Sequence, residues 1–288
     1  MSTPPCFSDI GKNASDLFKK GYSHGQVKLE ASSQAKNGCE FKAITTSEGS
    51  RISGSLETKQ RVSKYGLTLT GKWNTDNAFN VNVAVENQFV DGLKLTLDST
   101  IAPHTSRKSN KAKAAYKRPH FNGAASVNVD AKGTTLSVED VFSYEKVVGG
   151  FSTSYNVTNG QLGNHSIQLG YESSDFACAA GVSNFTRDQG MEITGSLFHK
   201  VCSKLHAGAQ ARHVAGVADS SSIEIATKYA SDPSSTLQAK VNTRGLLGLS
   251  YAVNMRKGVK ITLSSLVDAV HLDQPNHRLG VSIDLSGK

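Results

Sequence analysis

Hydrophobic and polar residues alternate along most of this chain, from about residue 27 to its C-terminal end. Runs such as Phe79–Val85, Leu93–Leu97 and Leu279–Leu285 carry an apolar side chain at every second position. A period of two is typical of a β-strand with one apolar and one polar face. Polar or glycine-containing breaks of hairpin length separate the runs, as at Thr75–Asn77 and Asp188–Gly190. The pattern therefore predicts an all-β chain of roughly 18 to 20 strands.

The first residues follow a helical pattern instead. The apolar positions of this segment have the spacing i, i+4, i+7 and i+8 that gives a helix one apolar face: Ile10, Ala14, Leu17 and Phe18. We expect Ser8 or Asp9 to cap the helix at its N-terminus and Gly21 to follow its C-terminus. The chain thus divides into an N-terminal helix with its hinge, residues 1–25, and a β-structured part, residues 26–288.

The start of the chain does not have the composition of a targeting sequence. It contains no arginine before the helix ends and carries the acidic residues Asp9 and Asp16, whereas mitochondrial presequences are rich in arginine and poor in acids. A secretory signal would need an apolar stretch near the start, which is missing. We therefore expect no cleaved presequence.

Two architectures fit the alternation. In a soluble sandwich or propeller the apolar faces would form the core. In a transmembrane barrel the apolar faces would meet lipid, and the polar faces would line a water-filled lumen. No apolar run of 18 or more residues is present, so a membrane-spanning helix is excluded. A barrel strand needs only about 9 to 11 residues, so the alternation leaves both architectures open.

Composition excludes several classes of function. Charged residues make up 19% of the chain and its net charge is +8. The basic residues are spread over all strands, which argues against a nucleic-acid-binding stripe. The 9 histidines and 4 cysteines form no H-E-x-x-H or C-x-x-C pattern, and no G-x-S-x-G turn is present, so we expect neither an enzyme nor a metal site.

Several motifs carry a family resemblance over nearly the full length of the chain. They are SGSLETK (Ser53–Lys59), KWNTDN (Lys72–Asn77), GLKLT (Gly92–Thr96), AYKR (Ala115–Arg118) and a signature within Tyr229–Tyr251. With the N-terminal helix, they resemble the voltage-dependent anion channels, the mitochondrial porins of eukaryotes. Thr243 departs from the signature, which prefers Asn, Asp or Ser there. The resemblance implies a 19-stranded transmembrane β-barrel, the strand number known for this family. Its first and last strands would run parallel, with the helix inside the pore.

This resemblance implies a voltage-gated, weakly anion-selective diffusion pore in the mitochondrial outer membrane, passing small ions, ATP, ADP and phosphate. If the apolar side of each strand faces lipid, basic residues of the other side line the pore and favour anions. They are Lys28, Lys72, Lys94, Lys113, Lys200, Arg212, Lys228, Lys240, Lys260 and Arg278. The alternative is the related import-pore barrel, which conducts polypeptides and would need an acidic lumen.

The resemblance also implies weak nucleotide contacts and no bound cofactor. Two helix lysines match positions that contact ATP, and two segments match positions that contact NAD. These are Lys12 and Lys20, then Leu246, Leu247 and Gly248, and finally Ser264, Ser265, Leu266, Val267 and Asp268. The chain has no phosphate-binding glycine loop that would make such a site tight.

Two positions depart from the family. Gly71 stands where several members carry a lipid-facing glutamate. A lipid-facing acid is functional by default, so its absence puts hexokinase-type partners in doubt. In the hinge, Ser23 and His24 replace glycine-rich sequence, so we expect a stiffer helix motion. The remaining partners that the resemblance implies are membrane lipid, small anions, adenine nucleotides and a second copy of the chain.

Overall fold

The computed structural model describes residues 3–105, 107–131, 133–184, 190–274 and 276–287. The break predicted at Asp188 and Gln189 lies outside these residues. A 3-10 turn at Phe7–Asp9 and the helix α1 (Lys12–Lys19) come first. Among the described residues, no helix is long and apolar enough to cross a membrane.

Nineteen strands follow the helix. They are β1 (Val27–Gln34), β2 (Glu40–Glu48), β3 (Arg51–Val62), β4 (Leu67–Asn74), β5 (Phe79–Glu86), β6 (Leu93–Ala102), β7 (Arg107–Arg118), β8 (Phe121–Asp130), β9 (Gly133–Tyr144), β10 (Val147–Asn156), β11 (Gln161–Glu172), β12 (Phe176–Ser183), β13 (Glu192–Lys200), β14 (Leu205–Val214), β15 (Ser222–Asp232), β16 (Ser235–Asn242), β17 (Leu246–Arg256), β18 (Val259–Asp268) and β19 (Arg278–Ser286).

The strands form one closed barrel. Each strand pairs antiparallel with the next along the chain, and β1 closes the ring by pairing with β19. That last pairing is parallel and runs from Val27 opposite Val281 to Ser32 opposite Ser286. An odd number of strands joined by hairpins makes this parallel closure unavoidable. The predicted 19-stranded barrel with parallel first and last strands is confirmed.

The two faces of the wall differ in polarity. The large apolar side chains alternate along the strands and point to the outer face, where Leu97 is 53% exposed and Leu279 is 80% exposed. The intervening positions point inward: a Cβ atom built at Gly150 would meet Phe7 and Ile10 of the N-terminal segment inside the barrel, and one at Gly208 would meet Leu17. This arrangement suits a wall with lipid outside and water inside.

The helix is shorter than the sequence pattern predicts. Ile10 lies outside it, and Gly11 is its N-terminal flanking residue, with a left-handed φ of 72°. The prediction that Ser8 or Asp9 caps the helix is therefore wrong, because the chain turns sharply at a glycine that adopts this conformation without strain. Gly21, with a φ of 90°, follows the C-terminus as predicted.

The helix packs on the wall at strands β12 to β15. Ala14, Leu17 and Phe18 are buried there, together with Phe198 and Ala226 of the inner wall. Burying a Leu or Phe side chain contributes about 1.5–3 kcal/mol, and an isolated helix of this length would be unstable in water. The helix therefore depends on its contact with the wall.

Candidate pore lining and N-terminal anchor

The ten basic residues predicted to line the pore all lie on the inner face of the wall. Their alternation with outward side chains sets this position: Lys28 lies between Val27 and Leu29, and Lys260 lies between Val259 and Ile261. Inward acidic residues occupy neighbouring strands, so the structure brings opposite charges together across the ladder.

Four of the ten basic residues form ion pairs. Their carboxylate partners are on the same strand or one to two strands away: Lys28 with Glu30 at 2.9 Å, Lys94 with Glu86 at 3.6 Å, Lys113 with Glu139 at 3.2 Å, and Arg212 with Glu192 at 2.7 Å. Because the two charges of a pair are opposite and close together, their electric fields largely cancel at larger distances.

Other basic residues of the set stay without an acidic partner. Within the described parts of the chain, four side chains make neither a hydrogen bond nor an ion pair: those of Lys72, Lys228, Lys260 and Arg278. The ammonium group of Lys200 donates to the backbone oxygen of Ser174 at 3.1 Å. These groups carry positive charge that no ion pair neutralises, although Glu57 is opposite Lys72 and Asp284 is opposite Lys260 in the strand register.

Lys240 holds the end of the helix. Its Nζ donates a hydrogen bond of 2.9 Å to the backbone oxygen of Phe18 and lies 4.4 Å from the centre of the Tyr22 ring. The last carbonyl groups of a helix lack partners within the helix and carry partial negative charge. Lys240 is therefore on the inner face, but its charge is engaged by the N-terminal segment.

The ends of the N-terminal segment are fixed to the wall by polar contacts. The Nδ2 of Asn122, which is buried, donates to the backbone oxygens of Pro4 at 3.2 Å and Pro5 at 2.9 Å. At the other end, the hydroxyl of Ser250 donates to the backbone oxygen of Gly21 at 2.6 Å. The alternation alone marked these residues as inward but gave no signal for this anchoring role.

The hinge after the helix lies against the wall at β17 to β19. The Ser23 N–H donates to Ser264 Oγ at 3.0 Å, and a side chain at Gly248 would touch His24. Burial lowers the pKa of His24 from its ordinary value, and the nearby ammonium of Lys240 lowers it further. Burial also raises the pKa of Tyr22 to about 12. Both side chains are therefore neutral when the hinge is docked at neutral pH.

The two segments predicted to contact NAD lie side by side. β17 pairs with β18 so that Leu246 is opposite Asp268 and Gly248 is opposite Leu266. Alternation divides these residues between the two faces. Those on the inner face are Leu246, Gly248, Ser264, Leu266 and Asp268, and those on the outer face are Leu247, Ser265 and Val267. The hinge covers Ser264 and Gly248, and at the other end of this region Asp268 is buried and accepts hydrogen bonds from the N–H groups of Val270 and His271.

The two helix lysines predicted to contact ATP face the lumen. Each is paired with an acid of its own segment, Lys12 with Asp9 at 2.7 Å and Lys20 with Asp16 at 2.7 Å. Their side chains are largely exposed. In the part of the chain that the structure describes, no hydrogen bond or ion pair joins either lysine to the β17–β18 segments.

Sequence reasoning missed several inward charges. On β2, β3 and β7 many outward positions hold small or polar residues and the alternation is weak, which hides Lys42, Lys59, Lys111 and Glu57. On β9 the outward Leu136 and Val138 alternate clearly with the missed Glu139. Lys42 pairs with Glu30 at 2.7 Å. The small outward residues of β7, such as Ala112 and Ala114, were the available signal, because they alternate with these lysines.

Gly71 lies on the outer face of β4. It is opposite Thr58 of β3 and Val81 of β5, on the same side as Leu69 and Trp73. The family often carries a lipid-facing glutamate at this position. In this chain the position also lies on the lipid side of the wall, but it has no charge.

Sequence comparison gives full-length relatives. The chain is 37% identical over 287 residues to a protein of Meleagris gallopavo described as non-selective voltage-gated ion channel VDAC2, covering 99% of this chain and 95% of that protein. The VDAC2 of Xenopus laevis is 37% identical, with 99% of each chain covered. The human VDAC2 is 36% identical over 99% of this chain. The resemblance to the voltage-dependent anion channels is confirmed, and so is the prediction that the chain is not an enzyme.

The structural and family comparisons agree with this. A solved mutant of the Rh. blastica porin has a TM-score of 0.50 to this chain and 10% identity, with 91% of this chain and 96% of the porin covered. At that identity the likeness concerns the barrel fold alone. The family model described as eukaryotic porin matches residues 3–280. The chain is a porin-type channel and belongs to the eukaryotic porin family.

Proposed function

We propose that this chain is a voltage-gated, weakly anion-selective diffusion pore of the mitochondrial outer membrane. It would pass small ions and metabolites such as ATP, ADP and phosphate. The proposal rests on the inward basic residues that form no ion pair, such as Lys72 and Lys228. A positively charged wall raises the local concentration of anions without binding any one of them tightly.

The preference should be weak for two reasons. Several inward acids pair with a base, as Glu139 does with Lys113 and Glu192 with Arg212, so part of the positive charge of the wall is neutralised. In addition, mobile ions screen exposed charges beyond about 8 Å at physiological salt, and a barrel of this strand number encloses a wide aqueous channel. The VDAC2 relatives are described as non-selective, which is compatible with a slight preference.

Adenine nucleotides would make transient contacts during passage. Their phosphates carry the charge that the exposed ammonium groups of Lys12 and Lys20 attract, and Arg278 lies on the inner face opposite Leu266 of β18. Because each helix lysine already has an acidic neighbour, these contacts should be weak. The voltage gating and the mitochondrial location of the proposal are taken from the relatives' family.

The test is the reversal potential of the purified protein in a planar bilayer under a KCl gradient, recorded with a voltage ramp. We expect a large conductance with a slight preference for chloride that falls at both polarities of voltage. A cation preference would overturn the proposal and favour the import-pore barrel, which conducts polypeptides. No conductance from folded protein would contradict both.

A further inference from the structure

A depression lies in the outer face of the wall at β5 to β8. Its volume is about 480 Å³, which is within the range of small-ligand sites. The outward side chains that border it on β6 to β8 are all apolar, and several are small: Leu95, Leu97, Ala112, Ala114, Ala125 and Val127. Leu97 is opposite Ala112, and Ala112 is opposite Val127. The alanines therefore lower the surface between two rows of larger side chains, on the lipid side of the barrel.

Two uncharged polar side chains lie at one end of this depression. Asn110 precedes Ala112 by two residues on the same face of β7, and Ser99 of β6 is opposite Asn110. The hydroxyl of Ser99 donates to Asn110 Oδ1 at 2.9 Å. The two N–H donors of the Asn110 amide bond to none of the described residues. Unused hydrogen-bond donors thus face the lipid where the apolar depression ends.

An ammonium group continues the same line toward the rim of the barrel. Lys108 precedes Asn110 by two residues on the outer face of β7 and is opposite Ile101, which is 43% exposed. Lys108 is itself exposed, and it forms no hydrogen bond or ion pair with any described residue. The outward positions of β6, β7 and β8 that the structure describes hold no acid. The charge of Lys108 therefore has no counter-charge on this part of the wall.

The heights of these groups follow the order of the parts of a phospholipid. β7 has 12 residues, which span about 26 Å along the membrane normal at a tilt of about 45°, close to the height of the apolar band of a barrel, about 25 Å. Lys108, one residue from the start of β7, therefore lies at the edge of this band. Asn110 is about 5 Å deeper, and Ala112 and Ala114 are about 9 and 14 Å deeper. The sequence of charge, hydrogen-bond donors and apolar surface matches that of phosphate, ester and acyl chain.

We propose that this surface binds one phospholipid with an anionic headgroup. Lys108 binds the phosphate through charge-assisted hydrogen bonds, and the Asn110 amide donates to an ester carbonyl. One acyl chain lies in the depression over Ala112 and Ala114. A headgroup with a net negative charge is favoured over a zwitterionic one, because the described outward positions of β6 to β8 offer no acid to an ammonium group.

A second outward depression provides a comparison within the same barrel. It lies at β11 to β13, has a volume of about 390 Å³ and is bordered by Leu169, Ala180 and Ile193. The only lysine or arginine in these three strands is Lys200, which is on the inner face. An acyl chain at this second depression has no ammonium group to hold its phosphate. The apolar shape alone therefore does not make the site, and Lys108 is what distinguishes the first depression.

The test is native mass spectrometry of the full chain in detergent micelles with an equal mixture of two lipids. The probes are dioleoylphosphatidylglycerol and dioleoylphosphatidylcholine, which share the phosphate and both acyl chains and differ in net charge. We expect the wild-type protein to retain the glycerol lipid in preference to the choline lipid. Lys108→Gln should lower the ratio of glycerol to choline lipid at least about threefold, a difference that corresponds to roughly 0.7 kcal/mol. Ala112→Leu/Ala114→Leu keeps every charge and fills the depression, so it should reduce retention of both lipids and tests the site independently.

Two matched variants serve as controls. Lys111→Gln removes a base of the same strand from the inner face, where Lys111 is opposite Asp98, and Ala180→Leu fills the second depression. Neither should change the lipid ratio. If Lys108→Gln leaves the ratio unchanged, or if Lys111→Gln lowers it equally, the preference comes from the net charge of the barrel and the proposal is overturned. Equal losses of lipid in Ala112→Leu/Ala114→Leu and Ala180→Leu would show unspecific lipid contact and would also overturn it.

Discussion

Lys240 and Phe18 join the barrel wall to the helix inside it. The ammonium group of Lys240, on β16, donates a hydrogen bond of 2.9 Å to the backbone oxygen of Phe18 in the last turn of α1. The same ammonium group lies over the ring of Tyr22, at 4.4 Å from its centre. One wall residue therefore stabilises both the end of the helix and the start of the hinge.

We predict that Lys240→Gln loosens the docked helix. Gln loses the charge-assisted hydrogen bond and the cation–π contact, together worth about 1–3 kcal/mol in a half-buried setting. The helix should then leave the wall more often, and conductance should fall at smaller applied voltages. Hydrogen–deuterium exchange of the peptide that contains Phe18 to Tyr22 should become faster by about tenfold or more.

Lys228→Gln is the matched control for this prediction. Lys228 lies on the neighbouring strand β15, faces the same lumen and makes no hydrogen bond or ion pair with the helix among the described residues. Both substitutions remove one positive charge from the pore. If the two variants alter exchange and gating equally, the effect is one of pore charge and the anchoring role of Lys240 is refuted.

Gly280→Ala should displace the hinge. A Cβ atom at Gly280 would overlap the backbone oxygen of Ser23 and lie 2.9 Å from Ser264 Oγ. The wall strand cannot yield easily, so the hinge must move and the bond from the Ser23 N–H to Ser264 should break. We expect altered voltage dependence with an intact barrel by circular dichroism. Gly195→Ala, where a Cβ meets nothing within 4 Å, should behave as the wild type.

The hinge sequence also makes a prediction about stiffness. Ser23 replaces a glycine-rich sequence of the family, and its backbone is held by Ser264. Ser23→Gly adds backbone freedom to the undocked hinge. Ordering the hinge when it docks then costs roughly 0.5–1 kcal/mol more free energy. The conductance should therefore fall at smaller voltages. Unchanged gating in this variant would count against a stiff hinge.

The barrel could be predicted from the sequence, whereas its attachment to the helix could not. The period of two on strands such as Phe79–Glu86 and Arg278–Ser286 follows from lipid on one side and water on the other. Alternation is weak where the outward residues are small, and Ala112 and Ala114 therefore gave only a weak signal for β7. The resemblance supplied the strand number and the parallel closure, which the alternation left open.

The sequence predicts which residues lie on the inner face, but not which contacts they make. Parity places Lys240, Lys228 and Lys94 inside alike, although in the structure Lys240 binds the helix, Lys94 pairs with Glu86, and Lys228 has no bonded partner among the described residues. Which lysine meets Phe18 depends on where the helix rests on the wall, and Gly11 makes the helix begin later than the apolar spacing indicates. Such long-range contacts arise from tertiary packing, which local patterns do not encode.

The docked hinge should be less stable in acid. Burial and then the charge of Lys240 lower the pKa of His24 below its ordinary value, and neither ring nitrogen has a hydrogen-bond partner among the described residues. In the undocked hinge the pKa returns to about 6.5. The docked state thus keeps its full stability above about pH 6.5 and loses stability as the pH falls from there to the lowered pKa.

The measurement is the voltage at which conductance falls, recorded at pH 7.5 and pH 5.5. We expect a smaller voltage at the lower pH, because protonation of His24 occurs beside Lys240 and close to Arg278, which borders Gly25. Tyr22 stays neutral over this range, since its pKa is about 12. His24→Gln should remove the pH dependence, and His104→Gln, in an exposed turn between β6 and β7, should retain it.

The unpaired basic residues should set the ion preference of the pore. The double variant Lys72→Gln/Lys260→Gln removes two positive charges that have no acidic partner in the described part of the chain. The double variant Lys94→Gln/Glu86→Gln removes an ion pair of 3.6 Å and leaves the net charge unchanged. Reversal potentials under a KCl gradient give the permeability ratio of chloride to potassium. This ratio should fall by a factor of about 1.5–2 in the first variant, because interactions between exposed charges are worth a few tenths of a kcal/mol. The second variant should match the wild type. If both variants shift the ratio alike, the preference does not come from the excess charge, and the electrostatic basis of the proposed anion selectivity fails.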